Sequence, residues 1–479
     1  MKYYLQTFGC QMNKSDSERI AFVLEKMAPV VVRPKVRTLR GISFKKTQNL
    51  YQADLVVINV CSVRQSAVNR VYSLISKLST FARGYGGSTK GGKIFVTGCI
   101  LPQDRRKFQD KVDFIFNVKD LAQLPKKIAK IFNLQQKSIL SHDYHKDYLG
   151  IKPLYSSCPS AFVPIMTGCN NFCAYCVVPY VRGREYSRSP FSILQEIKNL
   201  LKKGFKRIIL LGQNVNSYRG KIKNKKLKIK NTNKKPKNIT NMRMVNFAQL
   251  LKMINALPGD FWLSFMTSHP KDLSDELIKT VFSQETDKIC KYFHLPIQSG
   301  SDRILKKMNR GYTVKQYEKI IQKIREKAKN KKTDVTISTD IIVGFPGETK
   351  KDFNKTASLL KKIKFDMAYI AKYSPRPLTA ASKLRDDISS LEKKRRQKKL
   401  FEILKKTALN NNKKYLNKKI NVLITGQDKK GHLFGETNTF KKVKINAKKD
   451  FKKIIGKFQR VKIFKATPWG LMGLFTPSR

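Results

Sequence analysis

The chain has 479 residues, 41% of them hydrophobic, enough for two to four domains with cores of their own. No run of about 18 apolar residues occurs, and residues 1–8 lack the apolar stretch of a secretory signal, so a spanning helix and export are not expected and a cytoplasmic protein with reduced thiols is. Lysine and arginine number 99 against 33 aspartates and glutamates; a net charge of +66 attracts polyanions, and with nothing suggesting a membrane surface it points toward a nucleic-acid partner, with compositional drift toward lysine and asparagine as the blander source of part of it.

The first segment alternates strands and helices. Residues 3–8 read as a strand that runs into Gly9 and Cys10, and Ser15-Asp16-Ser17-Glu18 reads as a helix start ahead of Ile20, Phe22, Val23 and Leu24. A basic stretch at 29–48 is longer than a simple connection needs. Residues 54–60 form a buried-type strand ending at Cys61, and residues 93–98 form another ending at Cys99. This alternation predicts an α/β domain with a doubly wound parallel sheet. Ligands of such sheets bind at the carboxyl ends of the strands, and Cys10, Cys61 and Cys99 each follow the apolar run of a strand. The three thiols are therefore placed to converge on a metal site; the alternative is three unrelated cysteines packing as small hydrophobes.

Residues 168–176, GCNNFCAYC, set Cys169, Cys173 and Cys176 in one loop with spacing C-x3-C-x2-C. Cysteine-only ligation of a [4Fe–4S] cluster uses four thiolates, so three leave one iron open, and an open position is where a reactant binds. Cys173 and Cys176 also fit the start of a structural zinc site, but no second C-x2-C or H-x3-5-H pair follows. His142, His145, His269, His294 and His432 are scattered, and eight cysteines are sparse for a disulfide framework. Phe172 and Tyr175, between the ligands, are placed to shield a cluster or stack on a base. Cys158 and Cys290 fit no ligand position.

From about residue 161 the alternation resumes, with strands at 162–166, 207–212, 261–266, 292–297, 335–344 and 365–370 and helices such as 191–203, 273–282 and 314–327. About six β/α units predict a partial or complete barrel whose site lies at the strands' carboxyl ends. Residues 219–243 form a basic, low-complexity insertion expected to be mobile. A basic helical connector at 393–414 leads to short strands at 419–425, 432–436, 441–446 and 459–466, a small all-β barrel like the OB-type nucleic-acid modules. The expected domains are 1–135, 155–390 and 412–479.

These segments resemble one family. GCNNFCAYCVVPYVRGREYSR (168–188) resembles the cluster loop of the radical S-adenosylmethionine methylthiotransferases. QTFGCQMNKSDSE (6–18), NVCSVR (59–64) and TGC (97–99) resemble the same enzymes' first domain. LGQNVNSYRG (211–220), TSHP (267–270), HLPIQSGSDRIL (294–305), DIIVGFPGET (340–349) and YSPRP (373–377) complete the match, and the C-terminal barrel resembles a TRAM domain. The resemblance implies that Cys169, Cys173 and Cys176 hold a radical-generating [4Fe–4S] cluster whose open iron the methionine end of S-adenosylmethionine chelates. It implies that Cys10, Cys61 and Cys99 hold an auxiliary [4Fe–4S] cluster that delivers a methylthio group, one cofactor molecule supplying the methyl and a second the radical. Gln213 and Asn214 become candidate contacts to the cofactor's methionine end, with local turn bonding as the alternative; His294 stands at a family-like strand end. The implied substrate is tRNA carrying N6-isopentenyladenosine beside the anticodon, methylthiolated at the unactivated C2–H, a step that a cofactor must carry. The implied enzyme is a monomer away from membranes, its electron donor and sulfur source unidentified. Family members acting on threonylcarbamoyl-adenosine in tRNA or on a ribosomal-protein aspartate are the alternatives, as is an iron–sulfur RNA-binding protein without catalysis.

Overall fold

A computed structural model describes residues 1–26, 44–63, 65–84, 92–132, 148–155, 158–223, 242–446 and 452–475. They divide into two compact units, one of Met1–Ser156 with Cys176–Gly183 and Arg376–Leu378, the other of the remainder.

The first unit is built on a parallel sheet of β1 (Lys2–Phe8), β2 (Lys45–Lys46), β3 (Leu55–Cys61), β4 (Lys93–Cys99) and β5 (Phe114–Ile115) in the order β2-β1-β3-β4-β5. Every residue of β3 is buried, as a strand covered on both faces requires. Its alternate residues serve two cores. Leu55 and Val57 join Ile20 and Leu24 of α1 (Gln11–Glu25) and Ile128 of α4 (Leu124–Ile131). Val56, Ile58 and Val60 join Val68, Val71 and Ile75 of α2 (Gln65–Gly84) and Phe108 of α3 (Pro102–Gln109). The doubly wound sheet expected from the sequence is present. Helix α1, however, starts four residues before the Ser15-Asp16-Ser17-Glu18 segment. Cys10 is extended and its N–H donates to Asn13 Oδ1 at 3.4 Å, so the first turn closes on Asn13 and the four polar residues lie buried inside the helix. Most of the basic 29–48 stretch lies outside the described residues. The short helix α5 (Val178–Arg182), which follows Cys176, belongs to this unit.

The second unit carries six parallel strands in two sheets. β6 (Ser160–Pro164), β9 (Arg207–Leu211) and β12 (Trp262–Phe265) run in the order β12-β9-β6, and β13 (Tyr292–His294), β14 (Thr336–Val343) and β15 (Met367–Lys372) in the order β13-β14-β15. A parallel bridge from Leu263 to Ile289 joins them into a partial barrel. A short antiparallel pair, β7 (Met166–Thr167) with β8 (Tyr186–Ser187), flanks the cysteine loop. Helices α6 (Pro190–Lys202), α7 (Phe247–Asn255), α8 (Asp275–Val281), α9 (Asp302–Lys307), α10 (Val314–Asn330) and α11 (Lys350–Ile363) follow the strands. Capping is local: Ser189 Oγ accepts Ser192 N–H at 3.2 Å and Pro190 opens α6. β10 (Arg219–Lys223) and β11 (Met242–Asn246) pair antiparallel, and residues 224–241 of the insertion expected to be mobile lie outside the described residues.

Helix α12 (Ser390–Lys413) leads into a closed barrel of β16 (Lys419–Gln427), β17 (Leu433–Glu436), β18 (Lys442–Ile445), β19 (Phe458–Thr467) and β20 (Gly470–Phe475). Strand β20 is absent from the sequence reading, because GLMGLF carries two glycines and stands only Pro468-Trp469 beyond β19. Within this unit the barrel is fastened to the core. Trp262, Cys290, Leu423, Phe440 and Phe458 share one apolar cluster, and Tyr292 and Phe440 stack at 4.2 Å. Arg207, at the start of β9, lies 3.9 Å over the Phe440 ring and pairs with Glu436; burial pulls its guanidinium down to about 10. Lys441 bridges to Asp366 at 2.6 Å. Among the described residues no helix is long and apolar enough to cross a membrane.

Candidate metal centres

The topology brings Cys10, Cys61 and Cys99 together. β1, β3 and β4 are adjacent and parallel, Phe8 registers with Val60, and Cys61 registers with Cys99. Cys10 begins α1 just past the end of β1, so all three thiols stand at one carboxyl edge. A buried polar lattice fixes that edge. Asn13 donates to Asn59 Oδ1 at 2.9 Å, Asn59 donates to Asn13 O at 2.8 Å and Ser17 Oγ at 3.0 Å, and Ser17 pairs with Thr7 at 2.7 Å. The neighbouring Cys61 lowers the Cys10 thiol to about 6 and lowers the Cys99 thiol as well, while Cys61 itself is pushed well up by its two cysteine neighbours and by burial. Three thiols set side by side at one sheet edge suit an iron cluster, whose irons take thiolate ligands.

Arg182 of α5 reaches the same place. Its Nε donates to Cys99 Sγ at 3.0 Å, Nη2 to Asp16 Oδ2 at 2.7 Å and Nη1 to Tyr148 Oη at 3.1 Å. Both Arg182 and Asp16 are buried. Burial alone would weaken the guanidinium's charge, but Asp16 and Cys99 outweigh it and hold the arginine well above its ordinary value. Sequence reasoning missed both residues. The signal available was a pair of cations, Arg182 and Arg184, just past the cysteine loop.

In the second unit, Gly168 with φ of +80° opens the cysteine loop and Phe172 with φ of +45° turns it. The Arg184 guanidinium covers the Phe172 ring at 4.6 Å. The segment after α9 holds the loop: Asn309 Nδ2 donates to Phe172 O at 3.0 Å, and Ala174 N–H donates to Met308 O at 2.9 Å. Cys169 Sγ accepts from Asn171 Nδ2 at 3.6 Å, and burial pushes its thiol up. Cys173 Sγ accepts from Arg310 Nη1 at 3.2 Å. Arg310 is buried and bonds Tyr312 Oη at 2.9 Å and Pro296 O at 2.9 Å, so it is a fixed cation beside one cluster cysteine. Cys169 and Cys173 group with the second unit and Cys176 with the first. Cys158 is exposed; Cys290 is buried in the apolar cluster under the barrel, which raises its thiol to about 11.

Among the described residues, several buried polar atoms at strand ends of the second unit make no hydrogen bond: Thr167 Oγ1, Gln213 Oε1, Ser268 Oγ, His269 Nε2 and Gln298 Oε1. Thr267 and Gln298 hold φ of +69° and +70°, conformations that a β-branched or long side chain adopts only under constraint. Unsatisfied groups and strain gathered at the carboxyl ends of barrel strands fit a polar ligand. Gln213 keeps its acceptor free. Asn214 does not: its Oδ1 accepts His269 N–H at 3.1 Å and its Nδ2 donates to Asp272 at 2.6 Å, so it shapes the neighbouring loop. His294 is also engaged, with Ser338 at 2.8 Å and Asp340 at 3.3 Å.

His269 Nδ1 accepts Lys271 N–H at 3.3 Å, which leaves the proton on Nε2. Burial, then Arg310 and Lys271, lower this imidazole to about 2. The unfolded histidine takes up its proton near pH 6.5. Below that pH the unfolded chain binds more protons, so stability falls with acid by up to about 1.4 kcal/mol per pH unit. His269→Gln is expected to flatten the fall of the iron-free protein's thermal midpoint between pH 6.5 and pH 5; an unchanged slope would refute the assignment.

Among the described residues no three His, Cys, Asp or Glu side chains are placed to hold one shared metal ion. A cubane makes a different demand, since each thiolate binds its own iron.

Comparison with known proteins gives three family matches: the uncharacterized protein family UPF0004 over residues 2–117, the radical SAM superfamily over residues 163–360 and the TRAM domain over residues 413–475. The chain is 39% identical to the tRNA-2-methylthio-N(6)-dimethylallyladenosine synthase of Clostridium tetani (strain Massachusetts / E88), over 98% of this chain and 95% of that one. It is 39% identical to the synthase of the same name from Clostridium novyi (strain NT), over 98% and 96%, and 37% identical to that of Thermoanaerobacter pseudethanolicus (strain ATCC 33223 / 39E), over 98% and 92%. Among solved structures, the radical S-adenosylmethionine methyltransferase TsrM from Kitasatospora setae aligns with a TM-score of 0.51 at 12% identity, covering 80% of this chain and 75% of that one, a likeness of fold.

Proposed function

The chain belongs to the tRNA-2-methylthio-N(6)-dimethylallyladenosine synthase family, and we infer from that membership that it is a transferase that methylthiolates C2 of N6-isopentenyladenosine next to the tRNA anticodon. The observation that carries this reading is identity of 37–39% along 98% of the chain, through all three domain types. Cys169, Cys173 and Cys176 would hold one [4Fe–4S] cluster, and Cys10, Cys61 and Cys99 a second. Bound there, the first cluster with S-adenosylmethionine would supply the radical that removes the C2 hydrogen, and the second would supply the sulfur.

The protein's own residues would do the holding and orienting. Arg310 would fix the Cys173 sulfur, and Asn309 would fix the loop that carries it. Gln213 Oε1 would accept a donor of the bound cofactor, while Asn214 would keep the His269 loop in place. His269, neutral across the working range, would donate from Nε2 without exchanging its proton. Phe172, under Arg184, would keep water from the cluster. Residues 1–135, 155–390 and 412–479 would serve as the sulfur-supplying, radical and RNA-binding domains. With tRNA as its substrate the enzyme would work in the cytoplasm, and it would do so as a monomer.

The test is nucleoside mass spectrometry of tRNA from cells that lack this chain and from the same cells re-expressing it. The expected result is loss of the 2-methylthio form with accumulation of N6-isopentenyladenosine, and its return on re-expression. An unchanged nucleoside profile would reject the reading.

A further inference from the structure

We propose that Arg182 is a positioning residue of the second cluster: through its contact with Cys99 it holds that ligand and raises the cluster's reduction potential, while Asp16 sets how much of its charge the cluster feels. The proposal rests on the reading that Cys10, Cys61 and Cys99 carry iron. Three of its features are geometric. The guanidinium points its Nε at Cys99 Sγ at 3.0 Å, the distance of a charge-assisted hydrogen bond to sulfur. Its other two nitrogens are anchored elsewhere, on Asp16 at 2.7 Å and Tyr148 at 3.1 Å, so the fork cannot swing away. The whole group is buried, arginine side chain 4% exposed and aspartate 0%, where a charge acts through low dielectric and is not screened by salt.

A buried arginine is not a cheap way to fill space. Without Asp16 its desolvation would go uncompensated, and a simple apolar side chain would pack the same volume at less cost. The pair stands where its cation and an N–H donor meet a ligand of the second cluster, as Arg310 meets Cys173 at the first. Hydrogen bonds to the sulfurs and nearby net charge are the levers by which a protein tunes such a cluster. Arg182 also lies in the stretch Cys176–Gly183, so the same short piece of chain carries a ligand of the radical cluster and the arginine that serves the other. The Asp16 carboxylate opposes the arginine's charge, so the two residues are expected to move the potential in opposite directions.

The experiment uses the full chain carrying Cys173→Ala, so that only iron at the second site is read, reconstituted without oxygen and titrated electrochemically with detection by electron paramagnetic resonance. The background is expected to hold about four irons per chain; no iron would overturn the second-cluster reading itself. Arg182→Gln is expected to shift the potential to more negative values, Arg182→Lys to shift it less, and Asp16→Asn to shift it to more positive values. A residue that only filled space would give shifts of one sign or none. Iron retained with no shift in either Arg182→Gln or Asp16→Asn overturns the proposal, as do shifts in the same direction. If Arg182→Gln loses its iron, a positive shift in Asp16→Asn supports the proposal and an unshifted Asp16→Asn overturns it.

Discussion

Replacing Cys10 by alanine is expected to lower the iron of the reconstituted enzyme from about eight to about four per chain, and to end methylthio transfer while 5′-deoxyadenosine still forms. Cys173→Ala is expected to leave a similar amount of iron but to end 5′-deoxyadenosine formation altogether. The two variants separate because the thiols sit on different elements. Cys10 stands past β1, next to Cys61 and Cys99 at the carboxyl edge of the parallel sheet. Cys173 is held by Arg310 on the barrel side. Each loss is expected to exceed a hundredfold in its own readout, since a ligand thiolate has no substitute within the lattice around it. Iron near eight in Cys10→Ala, or continued 5′-deoxyadenosine production in Cys173→Ala, would remove the corresponding assignment.

Gly98→Ala is expected to empty the same site without touching a ligand. Gly98 has φ of +116°, and a Cβ built there would lie 2.1 Å from Val60 O and 2.6 Å from Asn59 Oδ1. Neither neighbour can yield. Val60 O belongs to the strand that registers with β4, and Asn59 is the centre of the buried lattice that joins α1 to β3. Backbone strain and overlap together are expected to cost about 3 kcal/mol or more, and to push β4, with Cys99, off register. Gly204→Ala is the control. It also has positive φ, +84°, but nothing lies within 4 Å of its Cβ position, so only the backbone preference is lost, about 1 kcal/mol. Iron analysis checks both: Gly98→Ala is expected to fall to about four irons and Gly204→Ala to keep about eight. A Gly98→Ala protein with full iron would show that the sheet edge is far softer than its contacts imply.

Some of this was legible in the sequence because period and position carry it. A run such as LVVINVC is buried on both faces whatever its neighbours, and in a parallel sheet the residue after such a run must stand at the carboxyl edge. That reasoning located Cys10, Cys61 and Cys99 at the edge where the structure brings them together. Other features depend on partners far away in the chain. Asp16 looked like part of a helix start, because Ser, Asp and Glu cap helices more often than they lie inside them. In the fold it is the buried counter-ion of Arg182, 166 positions later. Nothing local distinguishes Arg182 from Arg184, although one turns inward to Cys99 and the other covers Phe172. Asn214, at a strand end, suits either a cofactor contact or local turn bonding on sequence alone, and only the fold shows both ends of its amide bonded to the His269 loop. The polar groups left free, such as Gln213 Oε1 and His269 Nε2, can be recognised only after every local bond has been assigned.

The fastening of the small barrel onto the second unit gives that unit the character of a calliper. Arg207 is gripped between Phe440 and Glu436, Tyr292 is stacked on Phe440, and Lys441 is tied to Asp366, so the barrel does not trail on a tether. A module on a flexible linker would search a volume and accept any target within reach. If the barrel is the RNA-binding module proposed above, its fixed offset admits only an RNA whose gripped part and reactive base are separated by that offset. Selection of one nucleoside among many would then be made by length as well as by chemistry, and adenosines at the wrong distance from the gripped stem would be passed over however well their bases fit.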